Sequence, residues 1–369
     1  MSLKILHTSD VHLGMKFAGY PDVQTDLAEA RFGTLTSLVE LANARNCDLI
    51  VVAGDLFDRI SVARKDIVRA AQILTEFQGK LAVVLPGNHD FVSTGDDTLW
   101  AYFKSKGPDV LVLDEAKTYL LKHYDLDVCL YAAPCTSKHS DKNALGWIPG
   151  TAKDQSVKYH IGIAHGSLAG VSPDFDNRYY PMTSEELRAF GLDLWLLGHT
   201  HIQYPASPGP QDRIFYSATP EPDGFDCGHE GKAWLIEIDQ EQVRAESITT
   251  GIYSFLHDDT TVSSSVDIED IRSKYALSSY ARTLMKLTLS GRLPKDGCES
   301  IPQLEKDLRV CFKYLEFSDS GVAEEITLDD INRIFTEGSF PHSLLSALTQ
   351  DEDTEALQLA YDMLVAVKK

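Results

Sequence analysis

Asp48-Leu49-Ile50-Val51-Val52-Ala53-Gly54-Asp55-Leu56-Phe57-Asp58, residues 48–58, decides the fold. A short unbroken run of Leu, Ile and Val reads as a strand buried on both faces. The Gly54-Asp55 turn that follows puts a carboxylate at the strand's carboxyl end, where open α/β sheets gather their ligands. The same construction recurs on either side. Residues 3–8 run into Asp10-Val11-His12, residues 81–85 into Gly87-Asn88-His89-Asp90, residues 160–164 into His165-Gly166, and residues 192–197 into Gly198-His199-Thr200-His201. Helical patterns separate the first three strands. One spans residues 25–44, with Leu27, Phe32, Leu35, Leu38, Val39 and Leu41 near helical spacing, and the other residues 62–77. Five polar blocks are therefore expected to point into one crevice.

Their chemistry is that of a metal centre. Imidazole, carboxylate and amide oxygen suit divalent Mn, Fe or Zn, and the lack of thiolates in the blocks argues against a structural zinc site. The ordered set D-x-H, G-D-x-x-D, G-N-H-D, H-G and G-H-x-H resembles the calcineurin-like metallophosphoesterases. That resemblance implies an α/β fold: a two-sheet sandwich flanked by helices, with a smaller C-terminal α/β capping domain and a helical tail. It also implies that Asp10, His12, Asp55 and His201 hold one metal and that Asp55, Asn88, His165 and His199 hold a second. Asp55 would be the bridging carboxylate. Two such ions sit about 3.5–4 Å apart and clamp a phosphoryl group during in-line attack. Manganese is the expected metal, with Fe, Zn and Mg as alternatives. His89, beside a ligand, is assigned to protonate the leaving oxygen, and Asp90 to orient His89 or a ligand from behind. Asp58 reads either as part of the site or as a cap for the following helix.

The segments Thr8-Ser9-Asp10-Val11-His12-Leu13-Gly14 and Gly54-Asp55-Leu56-Phe57-Asp58 are similar to the SbcD-type DNA repair exonuclease branch. Residues 217–226, Ser-Ala-Thr-Pro-Glu-Pro-Asp-Gly-Phe-Asp, are similar to a segment of its bacterial YhaO-like members, departing from it at Ala218 and at Pro222-Asp223. The function implied is a metal-dependent phosphodiesterase, a DNA exo- or endonuclease acting in repair. The alternative is a phosphomonoesterase or cyclic-nucleotide phosphodiesterase on a small molecule, since Asp58-Arg59 matches the Asp-Arg with which protein phosphatases grip a monoester. Against that alternative, the phosphatases' third block ends in Glu where this chain has Asp90. The partners implied are DNA and an SMC-like coiled-coil ATPase, and a homodimer is also open.

The chain has 369 residues, is 43% hydrophobic and carries a net charge of −21. Its length suggests about two domains, and the pattern divides it into 1–250, the metallophosphoesterase domain, 251–325, a capping unit, and 326–369, a helical segment. Within the capping unit the pattern gives a helix near 266–275, a strand near 283–290, a helix near 301–308 and a strand near 311–317. No apolar run approaches the roughly 18 residues of a membrane span. Met1-Ser2-Leu3-Lys4 leads into a strand rather than a signal peptide, and six scattered cysteines read as reduced thiols of a cytoplasmic protein. Cys227 with His229 suggests an extra metal site but reads more simply as incidental.

Such acidity opposes a nuclease, because DNA affinity comes largely from neutralising phosphates. Two divalent ions would make the site itself cationic. Arg59, Arg64, Lys65 and Arg69 follow the second block, and Arg59 and Arg64 are the expected substrate contacts. Acidic side chains crowd residues 316–337. That surface suits solvent or a basic partner. The last amphipathic stretch, 354–367, offers Leu357, Ala360, Tyr361 and Leu364 as anchors for the ATPase, or for the chain's own core.

Overall fold

The computed structural model describes residues 2–368 except 96–97, 175, 240–241, 277–279 and 351–353. The chain divides into two compact units, one of residues 1–256 with 282–284, the other of residues 257–281 with 285–369.

In the first unit the apolar runs become β1 (Leu3–Thr8), β2 (Leu49–Ala53), β3 (Leu81–Leu85) and β4 (Val110–Val112). They lie parallel. A second sheet holds β5 (Thr118–Leu120), β6 (Val128–Ala133), β7 (Tyr159–His165), β8 (Leu194–Gly198), β9 (Gln203–Tyr204) and β10 (Ile214–Ser217). The chain then returns to the first sheet with β11 (Lys232–Ile238), antiparallel to β1, and β12 (Val243–Thr249). The orders are β12-β11-β1-β2-β3-β4 and β5-β6-β7-β8-β10-β9.

Side-chain alternation explains why these strands are apolar throughout. Along β2, Leu49, Val51 and Ala53 meet Leu130, Ile161, Ile163, Leu194 and Phe215 of the facing sheet. Ile50 and Val52 point the other way, into Leu35, Leu38, Val39, Ile67, Ala70 and Leu74. Those residues come from α1 (Gln24–Ala44) and α2 (Arg64–Thr75), which cover the first sheet with α3 (Leu99–Lys106). The outer face of the second sheet packs Tyr131, Trp195 and Leu197 against Leu187 of α4 (Ser184–Ala189). α2 starts two residues later than its periodicity suggests because Ala63, its cap, is extended (φ −65°, ψ 138°). Asp58 therefore does not cap it.

One inner-face position is polar. His7 in β1, in register with Val51 and Trp234, is fully buried. Burial pushes its imidazole down to about 3, while an unfolded imidazole titrates near the ordinary 6.5. The unfolded chain thus binds the proton first as pH falls, and this group alone removes about 1.4 kcal/mol of stability per unit below about 6.5. Urea midpoints should drop between pH 7 and pH 5, and a His7→Asn variant should show a flatter profile.

In the second unit, β13 (Ser254–Val262), β14 (Tyr280–Leu293) and β15 (Phe312–Glu324) form a three-stranded sheet in that order. α5 (Ser265–Ala276) and α6 (Lys295–Cys311) contribute buried Ile268, Ile271, Leu304 and Leu308. α6 begins six residues before the sequence reading because Pro302, which normally marks a first turn, stands inside it. Then follow α7 (Leu328–Ile334), α8 (Phe340–Gln350) and α9 (Thr354–Lys368). Leu357 is buried with Ile331, Phe335 and Leu345, and Ala360, Tyr361 and Leu364 pack on that cluster. The anchors expected to meet an ATPase therefore face the chain's own core. The exposed ridge of α9 is Leu359, Met363 and Val367 instead. Among the described residues no helix is long and apolar enough to cross a membrane.

Candidate metal centre

The first two blocks are joined beyond the ends of their strands. The Asp10 amide donates to the Gly54 carbonyl (3.0 Å), that of His12 to Asp55 (3.0 Å) and that of Leu13 to Leu56 (2.9 Å). Four of the ligand positions adopt a backbone that side chains rarely take, with φ of 54° at Asp10, 50° at His12, 53° at Asp55 and 100° at His199. Such conformations persist where the surroundings enforce them, commonly at functional sites. Ala218, where the similar segments place Gly or another small residue, also has positive φ (65°).

Two neighbouring clusters result. Asp10, His12 and His201 bring ligand atoms within 4.8 Å of one another, and so do Asp10, Asp55 and His165. Asp55 lies between the two, its Oδ2 3.2 Å from His165 Nε2 and 3.9 Å from His12 Nε2. Asn88 Oδ1 is 3.0 Å from both His165 Nε2 and His199 Nδ1. All seven expected ligands are thus brought together: Asp10, His12, Asp55, Asn88 and His165 are buried to 2% exposure or less, and His199 and His201 are half-buried. The donor set fits two divalent ions sharing one carboxylate. Among the described residues buried His12 Nδ1 and Asn88 Nδ2 have no hydrogen-bond partner, as expected of groups arranged for something other than one another.

Supporting contacts fix which atoms face the centre. His165 Nδ1 donates to the Ala53 carbonyl (2.9 Å), presenting Nε2. Asp10 accepts from Ser9 Oγ (2.5 Å) and from the His199 amide (3.0 Å), and Asp55 Oδ1 accepts from the His89 amide (2.8 Å). Burial would raise the Asp55 carboxyl, yet His165, with His12 and His89 beyond it, holds it well below the usual range. Against burial, Asp55 and Asp10 lift His165 to about 9. Burial, with the charge of His165, pushes His199 down to about 3. The carboxylates draw positive charge to this spot, a demand that divalent cations satisfy.

Two glycines belong to the same construction. A Cβ on Gly54 (φ 97°) would overlap the His165 ring, and one on Gly87 would overlap Asp55 Oδ1 and its amide. Gly87→Ala should therefore displace the shared carboxylate. A shift near 1 Å at reacting groups costs about 10²-fold in rate. We expect that loss in turnover with an unchanged far-ultraviolet spectrum.

His89 stands beside the ligands. Its ring is 4.8 Å from that of His12, edge to face, and its Nδ1 donates to the Asp58 carbonyl (2.9 Å). It also groups with His12 and Asp55 as a cluster of ligand-type atoms. Among the described residues the Asp90 carboxylate makes no hydrogen bond to His89. It is fully buried and accepts from the amides of Phe57 (2.9 Å) and Gly87 (2.7 Å), pinning the second and third blocks together. Burial and the Asp55 charge push it up to about 8.

The basic cluster is engaged elsewhere. Arg59 Nε donates to Asp58 Oδ2 (2.8 Å), Arg64 lies over the Tyr102 ring (4.9 Å), and Arg69 pairs with Glu29 (2.7 Å). A cleft of about 880 Å³ opens at His199 and His201, lined also by Asp174, Arg178, Tyr179 and Lys232. Arg59 and Arg64 are not among its walls. Arg178, Tyr179 and Lys232 were not singled out in the sequence. The only signal was an Asn177-Arg178-Tyr179-Tyr180 run after the His165-Gly166 block. His229 uses both ring nitrogens, Nε2 toward the His201 carbonyl (2.9 Å) and Nδ1 from the Gly231 amide (3.0 Å), so with Cys227 it forms a brace and not a metal site.

Residues 3–203 match the family model described as calcineurin-like phosphoesterase. Over 340 residues the chain is 23% identical to an uncharacterized metallophosphoesterase, YhaO, of Bacillus subtilis, covering 88% of this chain and 79% of that protein. It is 23% identical over 247 residues to the DNA double-strand break repair protein Mre11 of Saccharolobus solfataricus, covering 65% of this chain and 61% of that one. With the Mre11 of Archaeoglobus fulgidus the identity is 34% over 216 residues, 54% of this chain and 46% of the relative.

Proposed function

The chain belongs to the calcineurin-like phosphoesterase family, and from that premise we propose that this metal-dependent phosphoesterase is a DNA nuclease that cuts phosphodiesters with two manganese ions. The observation that carries the reading is the placement of Asp55 between the Asp10, His12 and His201 cluster and His165, which Asn88 Oδ1 joins to His199. Divalent ions bound there supply Lewis-acid polarisation of the phosphoryl group and a nucleophile at neutral pH. The protein's own groups do the rest. His89, its Nδ1–H held by the Asp58 carbonyl, has Nε2 left for proton transfer, and in the doubly protonated ring the Nε2 proton would pass to the leaving oxygen, leaving the neutral imidazole. Arg178 and Lys232 take the flanking phosphates in the cleft, and Tyr179, its ring 4.9 Å from that of His199, offers a face for a base.

Similarity to the Mre11 repair proteins supports DNA over a small phosphoester. So does the engagement of Arg59 with Asp58, which leaves the phosphatase-like Asp-Arg pair turned on itself. In this reading the second unit is a DNA-capping domain, and an SMC-like coiled-coil ATPase provides the DNA affinity that a net charge of −21 withholds. The purified chain with Mn2+ should cleave labelled single-stranded or duplex DNA faster than a generic phosphomonoester or a cyclic dinucleotide. Turnover of the monoester alone would replace the nuclease with a phosphatase.

A further inference from the structure

His201 stands between the metal cluster and a second carboxylate. Its Nε2 faces Asp10 Oδ1 (3.7 Å) and His12 Nε2 (3.4 Å), while its Nδ1 is 3.3 Å from Asp223 Oδ2. Asp223 Oδ2 lies 3.8 Å from Nη2 of Arg31, a guanidinium of α1 with no solvent exposure. Nη1 of the same guanidinium donates to the carbonyl of Val11 (2.7 Å), the residue between Asp10 and His12. The segment carrying Asp223 is anchored independently. Glu221 accepts from Thr34 of α1 (2.5 Å) and from the amides of Ile252 (2.7 Å) and Tyr253 (2.9 Å), and Thr219 Oγ1 donates to the Asp10 carbonyl (2.9 Å).

Every residue of the first cluster is thus tied to one ion pair, formed by buried Arg31 and partly exposed Asp223. A complete lack of exposure excludes Arg31 from gripping substrate. A buried guanidinium persists only where it is paired, and its partners here are the turn bearing two ligands and the carboxylate behind the third.

Building on the dinuclear reading, we propose that Asp223, held by Arg31, is the positioning residue of the first metal site. It accepts the Nδ1–H of His201 so that Nε2 is aimed at the ion, and Arg31 locks that aim to the Asp10-Val11-His12 turn. Removing such partners of a metal-bound histidine typically costs 10–100-fold in metal affinity.

The test is calorimetric titration of the metal-free, full-length chain with Mn2+. The wild type should bind two ions. Asp223→Ala should weaken one step by 10–100-fold, the same step that His201→Ala removes, and leave the other unchanged. Asp223→Asn, which still offers an oxygen to Nδ1–H, should recover most of the lost affinity. Should Asp223→Ala fail to fold around an unpaired Arg31, the double variant Arg31→Met/Asp223→Ala removes both charges and should show the same one-step loss. A wild-type isotherm in the variant that folds, or equal weakening of both steps, overturns the proposal. A wild type that binds fewer than two ions overturns the dinuclear reading first, and the proposal with it.

Discussion

Asp55→Ala should abolish hydrolysis, with a loss on the order of 10⁴-fold or more, because it removes the carboxylate proposed to be shared by both ions. Asp55 is 1% exposed, and its two oxygens reach three blocks: Oδ2 toward His12 and His165, Oδ1 to the amide of His89. Alanine leaves each cluster one ligand short and frees the loop before His89. Metal analysis of the purified variant should find fewer than two ions per chain, while circular dichroism shows the fold retained. Near wild-type turnover in metal-replete Asp55→Ala would exclude the shared-carboxylate centre.

A second variant separates chemistry from metal binding. His89→Asn should keep both ions and lose about 10²–10⁴-fold in rate, the usual range for general acid help. The bond from His89 Nδ1 to the Asp58 carbonyl fixes one nitrogen, so the other is the one available for proton transfer. The proximity of His89 to His12 and Asp55 makes the opposite role geometrically open, since the three form a ligand-type cluster. Metal content decides between them. Loss of an ion along with the activity would make His89 a ligand.

The catalytic half of the fold was legible because five strands of the core are largely apolar on both faces and stop at a polar block. β1, β2 and β3 fall within a residue of the reading, and β7 and β8 within two at either end. Of the strands without a block, β10, β11 and β12 fall within a residue of the sequence pattern, while others were not read. β6 lies inside the second sheet between β5 and β7, but Val128–Ala133 ends in no ligand, and the two-residue β9 carries too little pattern to register.

At the site, the seven ligand-type residues were visible because their spacing is local to each block. Asp223 and Arg31 were not, since 192 positions separate them and only folding brings α1 against the segment after β10. Arg59 and Arg64 illustrate the reverse case. Sequence proximity to the second block suggested phosphate contact, whereas a neighbouring carboxylate and an aromatic ring engage them. The stripe on α9 was correctly helical, and the intramolecular cluster around Leu357 claimed it, as amphipathic faces usually are claimed.

The negative charge of the chain and the positive charge demanded by its substrate meet at the metal centre, where two divalent ions would outweigh the carboxylates of Asp10 and Asp55. The most direct measurement is therefore a titration of the metal-free, full-length chain with Mn2+ in which bound metal and DNA hydrolysis are followed together. The account predicts two ions per chain, with hydrolysis appearing as the second is bound and vanishing when both are chelated. Full hydrolysis at one ion per chain, or hydrolysis that survives chelation, would contradict it.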